Sequence, residues 1–440
     1  MYQPPYVKKI ISLLEEGGYE AYTVGGCVRD ALIGVTPSDF DVTSSAAPEE
    51  VRAVMGEAGI KVHDTGLKHG TVTAVSDGVP VEITTFRVDG GYSDNRRPDS
   101  VAFTRSLKDD LRRRDFTVNA MAYSERTGIV DFFGGRDDLK NKVIRAVGNA
   151  ETRFNEDGLR ILRALRFACV LGFAVDGETA SAAHKLRGLI KNVSGERIAG
   201  ELNKLVCGEV SGTVSRFADV FAEFIPEITA CENFDQRSVY HDRDVLTHTL
   251  NAMDCAPADK ITRLTLLFHD LGKPPAFKFE NGRGRFPGHA EISAQIADRA
   301  FRRLKYDGET REKALLLIKY HNITIRDDKK AVKRLLNKFG EEAFFRLIDV
   351  RVADDTAKAE EHRARTGEAR RAAETARGII GGGECFSTDG LAVKGGDVLE
   401  LGYKGREIGD ALNYLLQAVI NEKTENDKNG LIDYLLKRGK

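Results

Sequence analysis

Two aspartates one residue apart, Asp39 and Asp41, follow shortly after the run Gly25-Gly26-Cys27-Val28-Arg29-Asp30. On a strand, residues i and i+2 point to one face, so the pair would present two carboxylates side by side. Like charges that close repel, and a cation between them removes the conflict. Hard oxygen donors with no nearby His or Cys favour Mg²⁺. Glycines after a strand let the backbone approach a triphosphate, and Arg29 adds a charged donor to it. Glu82 is a candidate third carboxylate if its strand lies alongside. D-x-D by itself also describes a solvated strand end; the preceding G-G-x-V-R-D favours chemistry. Metal at such a site would lower the pKa of an attacking hydroxyl and neutralise a leaving pyrophosphate, which fits attack by a nucleic-acid 3′-OH on a nucleotide α-phosphate.

A second set of chemically capable residues lies on helix-periodic, apolar segments: His248, His269-Asp270, His289, His321-Asn322 and Asp354. Histidines and aspartates from different helices of a bundle can converge on a divalent metal, and Asp270 could bridge metals or orient water. The candidate ligands are His248, His269, Asp270 and Asp354. The ordered H…HD…D pattern resembles an HD phosphohydrolase domain, and a lone core histidine is the plainer alternative for each position.

The elements that must position these residues change character along the chain. Residues 1–145 alternate helix and strand patterns. An apolar run at 19–25 ends in the glycine pair, 40–43 reads as a strand, and Pro48-Glu49-Glu50 starts a helix. The stretches 71–76 and 79–87 flank Asp77-Gly78, a strong hairpin signal. Near the N-terminus, Val7, Ile10, Ile11, Leu13 and Leu14 form an amphipathic pattern broken by Lys8, Lys9, Glu15 and Glu16, unlike a signal peptide. After residue 144 strand signals largely stop, and Gly381-Gly382-Gly383 breaks the helical pattern before a final segment. The expected fold class is α+β: a catalytic head with a mixed β-sheet at 1–145, then an elongated all-α part. That part divides into a neck at 146–210, a body with the HD pattern at 211–365 and a tail at 366–440.

Composition bounds the partners. With 440 residues, 41% hydrophobic and 30% charged, the chain reads as a multidomain globular protein. A formal net charge of −1 means that a nucleic-acid partner must be sought in local basic clusters. These are Arg96, Arg97, Arg105, Lys108, Arg112, Arg113 and Arg114, and at the end Lys437, Arg438 and Lys440. The six cysteines are scattered without a C-x-x-C pair, as reduced thiols of a cytoplasmic protein would be. No apolar run is long enough for a membrane span, and no protein partner is evident.

The ordered motifs carry a family resemblance over nearly the whole chain. They are residues 25–30, Asp39-Phe40-Asp41-Val42-Thr43-Ser44, Thr65-Gly66-Leu67-Lys68-His69-Gly70-Thr71-Val72 and Arg113-Arg114-Asp115-Phe116-Thr117-Val118-Asn119-Ala120. Asp131-Phe132-Phe133-Gly134-Gly135, Glu156-Asp157-Gly158-Leu159-Arg160 and Glu196-Arg197-Ile198 continue them. In these the chain resembles the class II CCA-adding tRNA nucleotidyltransferases, of the bacterial type with an HD domain. The resemblance implies a Mg²⁺-dependent head that adds or repairs the 3′-terminal CCA of tRNA from CTP and ATP without a nucleic-acid template. It places the catalytic metal on Asp39 and Asp41, and a second divalent metal in the HD domain is consistent with it. CTP and ATP each offer an exocyclic amino donor beside a ring-nitrogen acceptor, the reverse of UTP and GTP. A carboxylate next to a guanidinium would select C and A together, and Asp157 with Arg160, at i and i+3, have helix-neighbour spacing. The resemblance implies that template role, and nucleotide contacts for Gly26, Arg29, Arg114, Arg163 and Arg166. An ordinary helix ion pair is the plainer reading of Asp157 and Arg160.

Gly158 departs from the family, which more often has proline; in the first turn of a helix either residue is expected to be tolerated. Residues 89–98 resemble the flexible loop kept by enzymes that add the terminal A. The tail, with motifs at 395–402 and 413–416, resembles a part that grips the outer half of the tRNA. Two alternatives remain: a poly(A) polymerase, which shares the head, and an HD phosphohydrolase acting on nucleotide phosphates. A pure tRNA-binding protein fits the intact D-x-D less well.

Overall fold

The computed structural model describes residues 2–91, 100–238, 243–358 and 365–437. It divides into two compact units, residues 1–229 with 303–305, and residues 230–302 with 306–440.

In the first unit, α1 (Pro5–Glu16) buries Val7, Ile10, Ile11 and Leu14, the i, i+3, i+4, i+7 stripe of an amphipathic helix. Its first residue is proline, which has no N–H to leave unbonded there. The stripe packs on one face of a seven-stranded mixed sheet. The sheet's first members are β1 (Ala21–Val24), β2 (Asp41–Ser44), β3 (Lys61–Gly66), β4 (Thr71–Ser76) and β5 (Val79–Thr85). Between them run α2 (Gly26–Leu32) and α3 (Pro48–Glu57). A side hairpin, β6 (Arg87–Asp89) and β7 (Val101–Phe103), leads to α4 (Leu107–Arg112). The last two strands, β8 (Met121–Ser124) and β9 (Gly128–Asp131), complete the order β3-β4-β5-β2-β1-β8-β9. Only β2 and β5 pair in parallel; the other neighbours are antiparallel.

β4 and β5 meet through Asp77 and Gly78, whose φ values of 51° and 79° are those of a two-residue type I′ turn. Val42, Val72, Ala74, Val81 and Ile83 join the core with α1 and α3. On the other face Tyr22, Val24, Phe86, Leu107 and Leu111 form a second core, which leaves the β2–β5 end of that face open.

Beyond the sheet come α5 (Gly135–Asn141), α6 (Ala150–Glu156), α7 (Leu159–Leu171), α8 (Gly177–Leu186), α9 (Gly195–Leu205), α10 (Ser211–Arg216) and α11 (Ala218–Phe221). The segment is helical, with one short parallel pair, β10 (Val143–Ile144) and β11 (Ala174–Val175), that sequence periodicity did not reveal. Two residues per strand are too few to show alternation.

The second unit contains α12 (Val245–Cys255), α13 (Lys260–His269), α14 (Lys273–Ala276), α15 (His289–Arg303), α16 (Gly308–Tyr320) and α17 (Lys329–Thr356). After these come α18 (Arg365–Gly381), α19 (Gly395–Glu400), α20 (Arg406–Ile420) and α21 (Lys428–Leu436). A hairpin, β12 (Lys278–Glu280) and β13 (Arg283–Arg285), is its one strand pair among the described residues. Asp244, Asp259, Asp307 and Asp328 each accept a backbone N–H three residues on, capping α12, α13, α16 and α17. A cap of this kind stabilises its helix by about 1 kcal/mol. α18 packs with α17 in one core, and α19 to α21 enclose another around Leu415, Leu416 and Leu431.

Candidate active site

The sheet brings the head carboxylates to its open face, though not both from within a strand. Asp41 is the first residue of β2, whereas Asp39 lies just before it in irregular backbone, so the expected strand over 40–43 begins one residue late. Both side chains are exposed. Desolvation by the surrounding protein raises the Asp41 carboxyl pKa; Arg114 opposes the rise and the charge of Asp39 adds to it. β5 does lie alongside β2, with Val42 opposite Ile83, so Glu82 falls level with Asp41 on the same face.

Gly25 stands at the turn out of β1 with φ 83°, a region that L side chains rarely occupy. A Cβ there would also sit 3.0 Å from Arg114 Nη1. Gly26 then opens α2. Arg29 donates from Nη1 to Asn119 Oδ1 at 2.7 Å and from Nε to Asp30 Oδ1 at 2.8 Å. Its guanidinium, with those of Arg163 and Arg166, surrounds the Phe167 ring at 5.0, 5.5 and 3.8 Å from the centroid. Two acids keep these cations from scattering. Asp115 takes Nε of Arg163 at 2.8 Å, and Glu201 lies 2.7 Å from Nε of Arg166. Burial alone would raise the Asp115 carboxyl, but Arg163 and Asn119 outweigh it and hold the group at about 2. Arg114 is held near the buried Asp110, 3.8 Å away, and its Nε–H has no hydrogen-bond partner.

Asp157 and Arg160 are not a helix ion pair. Asp157 has extended φ/ψ of −149° and 108° and separates α6 from α7, so the helix expected to carry both is interrupted at its first member. Its carboxylate accepts the Leu159 N–H at 3.1 Å and pairs with Arg197 of α9 at 2.7 and 3.3 Å. Arg160 bonds instead to Glu156 and to the carbonyls of Arg153 (3.2 Å) and Arg113 (3.0 Å). These use three of its five N–H donors.

Gly158, between the two, packs against the 3₁₀ segment of residues 187–192. A Cβ there would lie 2.9 Å from the Leu189 carbonyl oxygen and 3.0 Å from its Cβ. The backbone angles at this position suit proline, but any Cβ there requires the backbone at Leu189 to give way slightly.

Asp115, Asn119 and Arg197 stood inside the quoted motifs without a role. Glu201 carried no signal beyond its i+4 spacing from Arg197. Of the basic clusters, Arg105 is tied to Glu50 and the Ser45 carbonyl, and Arg113 to Asp110. Residues 92–98 of the Gly-rich loop, with Arg96 and Arg97, lie outside the described residues, as do Arg438 and Lys440. The described ends of that loop are joined by the Gly90 N–H donating to Ser100 O at 2.7 Å.

In the second unit His248 (α12), His269 (end of α13), Asp270 (following it) and Asp354 (α17) converge. Their ligand atoms all lie within 4.8 Å of one another, and all four residues are buried. His248 Nε2 is 2.9 Å from Asp354 Oδ1 and His269 Nε2 is 3.2 Å from Asp270 Oδ2. Gly272 lets α15 come close, since a Cβ there would meet the His289 carbonyl oxygen at 2.4 Å and Ser293 N at 2.6 Å. Among the described residues no helix is long and apolar enough to cross a membrane, and all six cysteines are free.

Three family matches follow the chain. Residues 21–145 match the Poly A polymerase head domain, 172–216 the probable RNA and SrmB-binding site of polymerase A, and 245–359 the HD domain. A CCA-adding enzyme of Geobacillus kaustophilus (strain HTA426) is 49% identical over 208 residues, 47% of this chain and 50% of the relative. One of Lactobacillus delbrueckii subsp. bulgaricus is 43% identical over 264 residues, 58% and 65% of the two chains. In the first of these alignments the chain spans about half the length of the curated relative it matches. Among solved structures, the crystal structure of Bacillus stearothermophilus CCA-adding enzyme in complex with CTP aligns over 99% of this chain and 98% of its own. It does so with TM-score 0.72 and 29% identity. The Thermotoga maritima CCA-adding enzyme complexed with tRNA_CCA shares the fold, with TM-score 0.60, 19% identity, and 99% and 95% covered.

Proposed function

Because the chain belongs to the tRNA nucleotidyltransferase and poly(A) polymerase family, we propose that it adds or repairs the 3′-terminal CCA of tRNA. CTP and ATP are its substrates, and no nucleic-acid template is used. The observation that carries this reading is the separate anchoring of Asp157 and Arg160. Were they paired with each other, neither could read a base. Asp157 is instead steadied by Arg197, and Arg160 by Glu156 and two carbonyls. Asp157 keeps acceptor capacity for an exocyclic amino group, while Arg160 keeps N–H donors for a ring nitrogen. Cytosine and adenine satisfy both; uracil and guanine oppose both.

In this reading, Arg29, Arg163 and Arg166 surround the triphosphate end, with Arg114 behind Gly25. Their charges are fixed in advance by Asp115 and Glu201, so little reorganisation accompanies nucleotide binding. Asp39 and Asp41 would hold Mg²⁺. The fit rests on two neighbouring carboxylates; desolvation raises the pKa of Asp41 and the charge of Asp39 adds to the rise, and a hard cation would relieve both. When bound, the ion supplies charge neutralisation at the α-phosphate and acidifies the attacking 3′-OH.

The proposed division of the chain is a catalytic head at 1–145, a nucleotide-selecting neck at 146–210, an HD body at 211–365 and a tRNA-binding tail at 366–440. The free cysteines and the tRNA substrate suit a cytoplasmic setting. Convergence of His248, His269, Asp270 and Asp354 favours a second reading beside the first, in which the body holds a divalent metal and hydrolyses phosphate esters.

Incubation with tRNA lacking CCA and labelled CTP, ATP or both tests the main proposal. It predicts addition of two C residues with CTP alone and CCA with both. Absence of C incorporation, or long A tracts with ATP alone, would replace it by the poly(A) polymerase reading.

A further inference from the structure

Residues Arg303–Lys305 belong to the first unit although they follow most of α15 in the chain. Arg303 closes α15, and Lys305 takes the left-handed φ of 56° common where a helix ends. Leu304, between them, is buried. The Arg303 side chain donates from Nη2 and Nε to Phe224 O at 2.8 and 3.2 Å, which fixes the segment independently of α9. Its backbone then meets the first residue of α9. A Cβ on Gly195 would lie 2.5 Å from Arg303 O and 3.0 Å from Leu304 Cα. Side chains do not come that close to backbone, so a glycine is what lets α9 start in this position. The carboxyl end of α15 thus meets the amino end of α9, an attractive arrangement of helix termini. Lys305 Nζ also reaches Glu196 Oε1 at 2.7 Å, but both side chains are more than half exposed and the pair adds little.

What α9 carries gives this contact its consequence. Two residues past Gly195, Arg197 holds the Asp157 carboxylate at 2.7 and 3.3 Å. Six residues past it, Glu201 holds Arg166 at 2.7 Å and lies 3.7 Å from Arg163. At 1.5 Å per residue, Arg197 sits about 3 Å along the helix from the contact and Glu201 about 9 Å. A displacement at Gly195 therefore reaches the base-reading carboxylate before it reaches the cations around the triphosphate end. The 3₁₀ segment that leads into α9 also packs on Gly158, beside Asp157, so the same displacement acts on the template from two sides.

We propose that Arg303–Lys305 form a specificity-determining seat: by fixing the first residue of α9 they set the Arg197–Asp157 contact, and with it the preference for C and A over U and G. None of the three touches the nucleotide; they act through Gly195 and Arg197 as positioning residues. The inference rests on the reading of Asp157 and Arg160 as the base-selecting pair.

The test is equilibrium titration of the full chain with CTP and with UTP in Mg²⁺, without tRNA so that no turnover occurs. In Gly195→Ala the start of α9 has to move to regain ordinary contact with Arg303 and Leu304. A misplacement of about 1 Å costs up to roughly 100-fold, so with relaxation the ratio of CTP to UTP affinity should fall by roughly 5- to 30-fold. UTP affinity alone, which depends on the more distant cations, should change by less than about 3-fold. Arg303→Met, which loses both bonds to Phe224 O, should lower the ratio in the same direction and carries the test if circular dichroism shows Gly195→Ala unfolded. Gly195→Ala combined with Asp157→Asn should have a ratio no lower than Asp157→Asn alone, which a purely structural role would not produce. A folded Gly195→Ala with the parent ratio, or with equal losses for CTP and UTP, would overturn the seat and leave the template reading standing. A parent chain without CTP preference would overturn both. A parent that prefers CTP and shows these shifts yet adds no C to tRNA would uphold the seat and overturn the proposed reaction.

Discussion

Arg197 is the most informative residue to change, because it touches the template without touching the expected position of a base. Replacing it with methionine keeps most of the stem volume and removes the two contacts to Asp157 at 2.7 and 3.3 Å. The Asp157 and Arg197 side chains are 16% and 25% exposed. A fully buried pair broken on one side costs about 3–5 kcal/mol, and an exposed pair about 0–1 kcal/mol. This half-buried pair, with one backbone N–H still holding Asp157, should fall between them, at roughly 1.5–2.5 kcal/mol. At about 1.4 kcal/mol per decade this corresponds to a loss of roughly 10- to 60-fold in kcat/KM. Because one carboxylate serves both bases, CTP and ATP should lose the same factor. UTP, which the oriented carboxylate repels, should lose less, so the CTP-to-UTP preference falls by a similar amount. Single-turnover extension of tRNA lacking CCA, resolved on a gel, measures all three. Asp157→Asn combined with Arg197→Met should be little worse than Asp157→Asn alone. An unchanged CTP-to-UTP ratio, or fully additive losses, would show that Arg197 supports the fold and not the template.

Asp41→Asn should reduce nucleotide incorporation by roughly a thousand-fold or more, as loss of a metal that supplies several kcal/mol implies. Thermal melting of that variant should stay near the parent value, since the side chain is exposed. Chelation with EDTA should have the same effect on the parent enzyme, and Mg²⁺ should restore it. Asp115 supplies a pH test. Its carboxyl titrates at about 2 in the fold against an ordinary 3.8, which stabilises the folded head by roughly 2–3 kcal/mol at neutral pH. A depressed folded value means that this stability is fully present above about pH 4 and is lost as pH falls toward 2. Asp115→Asn should therefore lower Tm at pH 6 and shift it much less near pH 2; an equal shift at both would refute the assignment. Gly158→Ala should destabilise by about 1–3 kcal/mol through overpacking against Leu189, and differential scanning calorimetry would detect it; an unchanged Tm would show that residues 187–192 yield freely.

What the sequence made legible follows the range of each interaction. The β4–β5 hairpin was readable because Asp77 and Gly78 meet a two-residue turn's demand for positive φ within the turn itself. The α1 stripe was readable because its period is local. Asp39 and Asp157 show where local rules stop. Each was read with the geometry of the regular element beside it, yet Asp39 stands two residues before β2 and Asp157 directly after α6, where a carboxylate is free to turn toward something other than its own helix or strand. Periodicity does not register the two-residue break at Asp157 and Gly158, because the apolar pattern resumes in α7. The partners that fix the template were out of reach for a different reason. Arg197 lies 40 positions from Asp157, and Glu201 reaches Arg163 and Arg166 only because α9 packs on α7.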